Sequence, residues 1–207
     1  MRRFISHSRT LLLLLAASTS TVHVATAADL ELPFRGRWIV IQGPPCEAFW
    51  GNHCMTQSNK FALDVVPFDA PNCIGLPLFA PSSGTIIEVL DGIPNGVHGP
   101  HDAGNHVVIA RSNSEFIVLA HFSPNSIRVQ MGQTVTAGEQ LGQCGVSGNA
   151  PGGPHLHFHM QATPNILDYQ GAAGLPMLFG RIDVWNPLTQ RCEPVFNYAP
   201  RHRDAFC

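Results

Sequence analysis

The stretch Gly153-Pro154-His155-Leu156-His157-Phe158-His159-Met160 decides how this chain folds and where its chemistry lies. Successive side chains of a β-strand point to opposite faces, so a strand here places its three histidines on one face. Leu156, Phe158 and Met160 then point the other way, into a hydrophobic core. Neutral imidazole is the commonest metal-ligating side chain, and zinc accepts it readily. A polar strand face that merely happens to carry histidine is the alternative, but three histidines in five residues favour a metal site.

The first 27 residues have the features of a secretory signal peptide. Three arginines precede the apolar run Leu11–Ala17, and the small residues 25–28 follow it. A basic segment, a short apolar segment and an A-x-A-like cleavage site are typical of exported proteins. The apolar run is too short for a membrane-spanning anchor. We therefore expect residues 1–27 to be removed, the mature chain to begin near Ala28 or Asp29, and the protein to be periplasmic or extracellular.

Composition and charge exclude two classes of partner. Without the three leader arginines the formal charge changes from −2 to −5, and Lys60 is the only lysine. Such a surface offers no electrostatic attraction to nucleic acid or to an anionic membrane. We therefore expect no nucleic acid partner and no membrane partner after the leader is removed. The oligomeric state stays open at this level.

The cysteines indicate disulfide bonds. All six lie in the mature part: Cys46, Cys54, Cys73, Cys144, Cys192 and Cys207. An even number of cysteines in an exported chain is typical of disulfides. Cysteine ligands to zinc are the alternative, which the absence of a C-x-x-C pair disfavours. We expect three disulfides, and the short spacings suggest the local pairs Cys46–Cys54 and Cys192–Cys207.

Short apolar runs bounded by turn residues predict a β-rich domain. The runs, rich in β-branched and aromatic residues, are 38–41, 62–66, 85–89, 106–110 and 116–121. No stretch after the leader sustains helical periodicity over ten residues. We expect an all-β fold: one domain, residues 28–161, of antiparallel sheets in a barrel-sandwich-like arrangement with an open metal-site groove. Residues 162–207 lack this pattern of apolar runs bounded by turn residues, and we expect them to form an irregular C-terminal extension packed on the domain.

A catalytic zinc site usually has three protein ligands and one open position, so further ligands should come from other strands. Asp64 lies inside an apolar run, where a carboxylate is costly unless it is paired or bound to metal. Taken alone, a hydrogen-bonded or salt-bridged aspartate at a strand edge explains it equally well. His53 lies eleven positions upstream of Asp64. His121 ends another apolar run, a position where a lone histidine is more often structural or solvent-facing.

The order of the motifs resembles that of the lysostaphin-type (LytM-type) zinc endopeptidases, which cut peptide bridges in bacterial peptidoglycan. The resemblance runs from about Phe61 to about Gln161. Its parts, which occur in the family's order, are Asn52-His53 with Phe61-Ala62-Leu63-Asp64, Ala80-Pro81-Ser82-Ser83-Gly84, Gly104-Asn105-His106-Val107-Val108-Ile109, Ala120-His121-Phe122-Ser123, the segment Val129 to Gly142, Gly145-Val146-Ser147-Gly148-Asn149 and Pro154-His155-Leu156-His157-Phe158. A lone His-x-His would be a weak signal, whereas the ordered set is specific.

The resemblance implies roles for five residues. By motif, His53, Asp64 and His157 would be the zinc ligands. His121 and His155 would be the two catalytic histidines beside the metal, which handle a proton or stabilise the oxyanion. Many family members have a much shorter spacing between the first histidine and the aspartate, although a subset shares the long one.

Other residues compete for these roles. His98, His101 and His106 are the alternatives to His53 as the first ligand. His159 lies further along the ligand face and is expected beside the ligands or in solvent rather than on the metal. Ser147 invites a nucleophile interpretation, but its motif lacks the G-x-S-x-G spacing, and the family uses this segment as a turn.

The resemblance therefore implies an exported zinc endopeptidase that hydrolyses peptide bonds in peptidoglycan cross-links or stem peptides. Two alternatives stay open. Some exported relatives are non-catalytic regulators that activate a cell-wall amidase, but these typically lack several of the metal residues. A secreted protease acting on other proteins is the second alternative.

Overall fold

The computed structural model describes residues 30–44, 52–167 and 170–207, so the expected signal peptide and Cys46 lie outside the described residues. Within them the chain forms β-strands and one short 3₁₀ helix, Asn52–Met55. The strands are β1 (Trp38–Gln42), β2 (Leu63–Pro67), β3 (Pro77–Phe79), β4 (Gly84–Leu90), β5 (His106–Ser112), β6 (Glu115–Ala120), β7 (Thr134–Val135), β8 (Gln140–Gln143), β9 (Leu156–Gln161), β10 (Gly174–Leu175), β11 (Phe179–Asn186), β12 (Arg191–Tyr198) and β13 (Ala205–Phe206). Across this described part, no helix has the length and apolarity needed to cross a membrane.

One large antiparallel sheet dominates the molecule. Its strand order is β12-β11-β13-β1-β2-β9-β6-β5-β4-β7, and β10 adds to β9. A second sheet pairs β3 with β8. The two edge strands of the large sheet, β12 and β7, do not pair with each other, so the described strands do not form a closed barrel. The all-β class with antiparallel sheets is confirmed.

The apolar runs of the sequence fold as the strands they predict. The runs become β1, β2, β4, β5 and β6, and β5 and β6 form a hairpin in which Val107 faces Leu119. On β9, Leu156, Phe158 and Met160 are buried in the main core. The predicted alternation of this strand is therefore confirmed, with the histidines on its opposite face.

The C-terminal segment corrects one expectation, because it is not irregular. β11 and β12 form a long hairpin, and β13 connects the hairpin to β1. The sequence pattern did not predict these strands, because they carry little apolar alternation. Phe179 and Ile182 are the only buried residues of β11, and β12 has none. The segment thus extends the large sheet, and the domain boundary at residue 161 stays a prediction.

Two disulfides are described. Cys192–Cys207 is the predicted local pair, and Cys73–Cys144 joins residues 71 positions apart. Spacing alone could not suggest the second bond, since it depends on the pairing of β3 with β8. The expected pair Cys46–Cys54 falls outside the described residues.

Candidate metal centre

The candidate site lies where three neighbouring strands of the large sheet end. Asp64 on β2 pairs directly with His157 on β9. On its other side, His157 pairs with Ala120, the last residue of β6. His121 follows Ala120 immediately, and His155 directly precedes β9. Backbone pairing between distant parts of the chain therefore brings four of the predicted residues together.

His53 reaches the same place from outside the sheet. It lies on the 3₁₀ helix Asn52–Met55, from which a turn leads into β2. Its Nε2 lies 3.2 Å from Asp64 Oδ2, and its ring centroid is 4.9 Å from that of His157. The long spacing between His53 and Asp64 is thus accommodated by a helical turn that folds back over the strand.

The three predicted ligands form a compact donor set. His157 Nδ1 lies 2.9 Å from Asp64 Oδ1, and one donor atom from each of His53, Asp64 and His157 lies within 4.8 Å of the others. Ligand atoms held tetrahedrally at zinc–ligand distances of about 2.0–2.1 Å are roughly 3.3 Å apart. Two imidazoles and a carboxylate in a buried cluster therefore fit zinc in chemistry and in spacing.

Charge at the site follows from burial and close contacts. Burial raises the pKa of Asp64, but its contacts with His157 and His53 more than offset this and hold the pKa well below its usual range. Burial lowers the pKa of His157 to about 4, against the opposing effect of Asp64. At neutral pH the set is therefore one carboxylate with a neutral His157, the forms that bind a metal.

His121 and His155 present the same ring nitrogen to the pocket. His121 Nδ1 lies 2.8 Å from the carbonyl oxygen of Ser147, and His155 Nδ1 lies 2.9 Å from that of Gly153. A carbonyl only accepts, so each Nδ1 carries the hydrogen and each Nε2 keeps a lone pair in the neutral ring. Burial, with the neighbouring His155 next in importance, lowers the pKa of His121 to about 3.

The backbone of His121 is held in an unusual conformation. Its φ of +65° is uncommon for a residue other than glycine and costs about 1–3 kcal/mol, so the surroundings must enforce it. The amide of His121 donates to Ala103 O at 3.0 Å. The hydroxyl of Ser147 donates to Phe122 O at 2.8 Å and accepts from Asn105 N at 2.9 Å. Ser147 thus has the structural turn role expected of it.

The three alternatives to His53 lie apart from the donor set. His106 is fully buried, with Nδ1 2.7 Å from Gly104 O and Nε2 3.2 Å from Glu88 Oε1. The ring of His101 lies against His106, and His98 is exposed. None of the three contributes a donor atom to the cluster, so the geometry favours His53.

Two further side chains extend the site along β9. His157 Nε2 lies 3.0 Å from His159 Nδ1, and His159 Nε2 lies 3.0 Å from Gln161 Oε1. His159 therefore lies behind His157, as expected, and is buried rather than solvent-facing. Gln161 was missed, although the alternation that places the histidines on one face continues to it.

The three predicted ligands and the two adjacent histidines line one open pocket. Its remaining walls combine polar side chains, among them Gln42, Asp102 and Asn149, with the apolar side chains of Val118 and Ile166. The pocket gives a bound metal a side that faces solvent, as a hydrolytic site requires.

Comparison with known proteins identifies the family. Residues 66–169 match the family described as Peptidase family M23, and the chain belongs to it. The match contains His121, His155 and His157, whereas His53 and Asp64 precede it.

Relatives of known role share about half of the chain. The cell division protein DipM of Caulobacter vibrioides is 34% identical over 95 residues, which are 45% of this chain and 15% of DipM. The peptidoglycan DD-endopeptidase ShyA of Vibrio cholerae is 32% identical over 87 residues, 42% of this chain and 18% of ShyA. The matched stretch is thus less than a fifth of either relative.

Among solved structures, the catalytic domain of the antimicrobial peptidase lysostaphin from Staphylococcus simulans aligns with a TM-score of 0.42 and 23% identity, covering 56% of this chain and 78% of that domain. The family match over residues 66–169 confirms the resemblance noted from the motifs.

Proposed function

We propose that this protein is an exported zinc-dependent endopeptidase that hydrolyses peptide bonds in the cross-links or stem peptides of peptidoglycan. One observation carries the proposal: the donor atoms of His53, Asp64 and His157 cluster in an open pocket beside two histidines that are not needed as ligands. Three protein ligands and an open position are the arrangement of a hydrolytic zinc site rather than a structural one.

The ligand set suits the chemistry. An anionic carboxylate and two neutral imidazoles leave a zinc site with a net charge of about +1, which keeps the metal electrophilic. Zinc held there would supply Lewis-acid chemistry, lowering the pKa of a water to about 7 and polarising the scissile carbonyl.

His121 and His155 would manage the proton. Each has an Nε2 lone pair that accepts the proton lost by the attacking water. The resulting imidazolium then donates the proton to the leaving amine nitrogen, which restores the neutral ring. In the protonated form, either ring also donates a hydrogen bond to the oxyanion that develops on the carbonyl oxygen.

Several features support the substrate class and the location. ShyA is named as a peptidoglycan DD-endopeptidase, and 87 residues of it are 32% identical to this chain. The leader-like residues 1–27 and the disulfides favour an oxidising compartment outside the cytoplasm. Peptidoglycan peptides are present there, and an open pocket with both polar and apolar walls suits a flexible peptide.

The test is digestion of purified peptidoglycan by the mature protein, with mass spectrometry of the released peptides. We expect products of peptide-bond cleavage, their loss when a chelator is added, and their return when zinc is restored. The His157→Ala variant is the matched control and should be inactive. Absence of peptide products from the zinc-loaded protein would refute the proposal.

A regulatory role is the second candidate, since the relative DipM, 34% identical over 95 residues, is named for cell division and not for peptidase activity. In that case the protein would cut no peptide itself but would stimulate a cell-wall amidase added to the same digestion. Activity on a general protein substrate such as casein, without activity on peptidoglycan, would instead indicate a secreted protease.

A further inference from the structure

We propose that His159 and Gln161 are positioning residues that hold His157 as its Nε2–H tautomer, so that Nδ1 is the atom that binds the metal. The inference rests on the zinc site proposed above. The three side chains, called here the β9 row, share one face of β9: His157, His159 and Gln161.

The orientation of Gln161 is set by the backbone beyond it. Its Nε2 donates to Thr163 O at 2.7 Å and to Asn165 O at 3.1 Å, and the side chain is fully buried. The opposite orientation would place an amide oxygen against two carbonyl oxygens. Oε1 of Gln161 therefore points at His159, where it can only accept.

This orientation determines the hydrogens of both rings. Because Gln161 Oε1 accepts, the hydrogen of His159 lies on Nε2. A neutral imidazole has a single N–H, so Nδ1 of His159 carries a lone pair and accepts from Nε2 of His157. The hydrogen of His157 then lies on Nε2, and its Nδ1 is bare. Both rings are buried, which favours the neutral forms.

Counting hydrogens shows where a cation is needed. Three contacts join Asp64 to His157, His157 to His159 and His159 to Gln161, at 2.9, 3.0 and 3.0 Å. Two neutral rings supply only two hydrogens, and an ionised carboxylate supplies none. The contact left without one is that between His157 Nδ1 and Asp64 Oδ1, which is attractive only when one further cation, a proton or a metal ion, lies between the two atoms. A metal ion bound by both atoms is such a cation, and it is there that the donor set converges.

The β9 row therefore acts on the metal through His157 alone. A ligand imidazole whose second nitrogen donates to an acceptor is fixed in tautomer and ring orientation, and loss of such an acceptor typically lowers metal affinity by about 10–100-fold. Here the acceptor is the imidazole of His159, and the buried amide of Gln161 determines which nitrogen of that imidazole carries the hydrogen.

A matched pair of variants tests the role of the acceptor. His159→Leu removes the acceptor for His157 Nε2, whereas His159→Gln retains an amide oxygen in its place. Zinc affinity, measured by competition with a chromophoric chelator, should fall about 10–100-fold in His159→Leu and stay close to the unaltered protein in His159→Gln. Circular dichroism and urea titration establish that both variants fold. Equal zinc affinity of the two folded variants would overturn the proposal.

Nuclear magnetic resonance tests the tautomer directly, and does so even if His159→Leu fails to fold. In long-range ¹H–¹⁵N spectra of the zinc-loaded protein, His157, assigned through its connection to the backbone resonances, should show a hydrogen on Nε2 and metal on Nδ1. Metal on Nε2 would overturn the inference while leaving the zinc site intact. A protein that binds no zinc would instead refute the proposed function itself.

Discussion

His121 and His155 are each anchored through Nδ1 to a backbone carbonyl oxygen, whereas His157 directs its Nδ1 at Asp64. The carbonyl contact orients each ring and leaves a lone pair on Nε2 for proton exchange, and the Nε2 of His155 lies 3.5 Å from Asp64 Oδ1. We expect His121→Ala and His155→Ala to keep a full complement of zinc and to lose about 10²–10⁴-fold in turnover. Metal analysis and peptidoglycan cleavage are measured on the same preparations. Zinc loss in parallel with activity would instead make these residues ligands.

The ligand variants should behave in the opposite way. His53→Ala and His157→Ala remove one of three donors and should abolish stoichiometric zinc binding while the disulfide-bonded fold persists. His106→Ala is the control, because His106 contacts Gly104 and Glu88 rather than the donor set. Should His106→Ala lose zinc while His53→Ala retains it, the first ligand has been misassigned.

At the residue scale, motif order predicted which side chains come together, but not how they are oriented. The identities of His121 and His155 follow from the sequence, whereas the choice of ring nitrogen depends on carbonyls of Ser147 and Gly153 that only the folded loops supply. Gln161 could have been found, since it continues the alternation of β9. Its role required knowing where its amide points.

At the scale of elements, two glycines let the segment before β5 cross the loop that supports His121. Gly104 and Gly148 have φ values of +59° and +79°, and a Cβ on either would lie against the backbone of the other segment. Gly148→Ala should therefore lower the free energy of unfolding by more than about 1 kcal/mol and reduce turnover, because Ser147 O shifts away from His121. Urea titration and peptide release measure the two effects.

The control for this variant is Gly36→Ala. Gly36 has a φ of +82° but nothing within 4 Å of the added methyl group. It should show the cost of the backbone conformation alone and leave turnover unchanged. A Gly148→Ala protein as stable and active as Gly36→Ala would show that the crossing tolerates a side chain.

The predictability of the elements follows their burial. The apolar runs of β5 and β6, which have four and five buried residues in succession, predicted these strands, whereas the mostly half-exposed or exposed hairpin β11–β12 carried no such run. Which strands pair with each other is harder to predict from the sequence than the strands themselves. Asp64 and His157 are 93 positions apart, and nothing local in either strand indicates that they face each other.

At the scale of the whole molecule, the two described disulfides should differ in their effect on activity. Cys192–Cys207 closes a loop of 15 positions at the hairpin β11–β12. Two strands, β13 and β1, lie between this hairpin and the strand β2 of the candidate site. Replacing both cysteines by serine should cost about 3 kcal/mol of stability and spare turnover at 25 °C. Thermal unfolding without reductant and peptide release measure the two effects.

Replacing Cys73 and Cys144 should also reduce turnover. Cys144 lies in the segment leading to Ser147, and its carbonyl accepts hydrogen bonds from Ser123 Oγ and Gly75 N. Loosening this segment displaces the support of His121. Unchanged activity in this variant would show that the loop holds its position without the bond.

The third disulfide remains a prediction, because Cys46 lies outside the described residues. Thiol titration of the denatured, unreduced protein should find essentially no free thiol. Two free thiols would leave Cys46 and Cys54 unpaired.

The direct pairing of Asp64 with His157 has a consequence for the folding of the protein when its metal is removed. Small zinc domains unfold when stripped, because the ion holds them together. Here strand pairing keeps two proposed ligands opposite each other without a metal, and the described core under β9 contains none of the proposed ligands. We therefore expect the protein without zinc to stay folded and to remain able to bind zinc. Circular dichroism before and after chelation should coincide, and zinc added later should restore full occupancy without refolding.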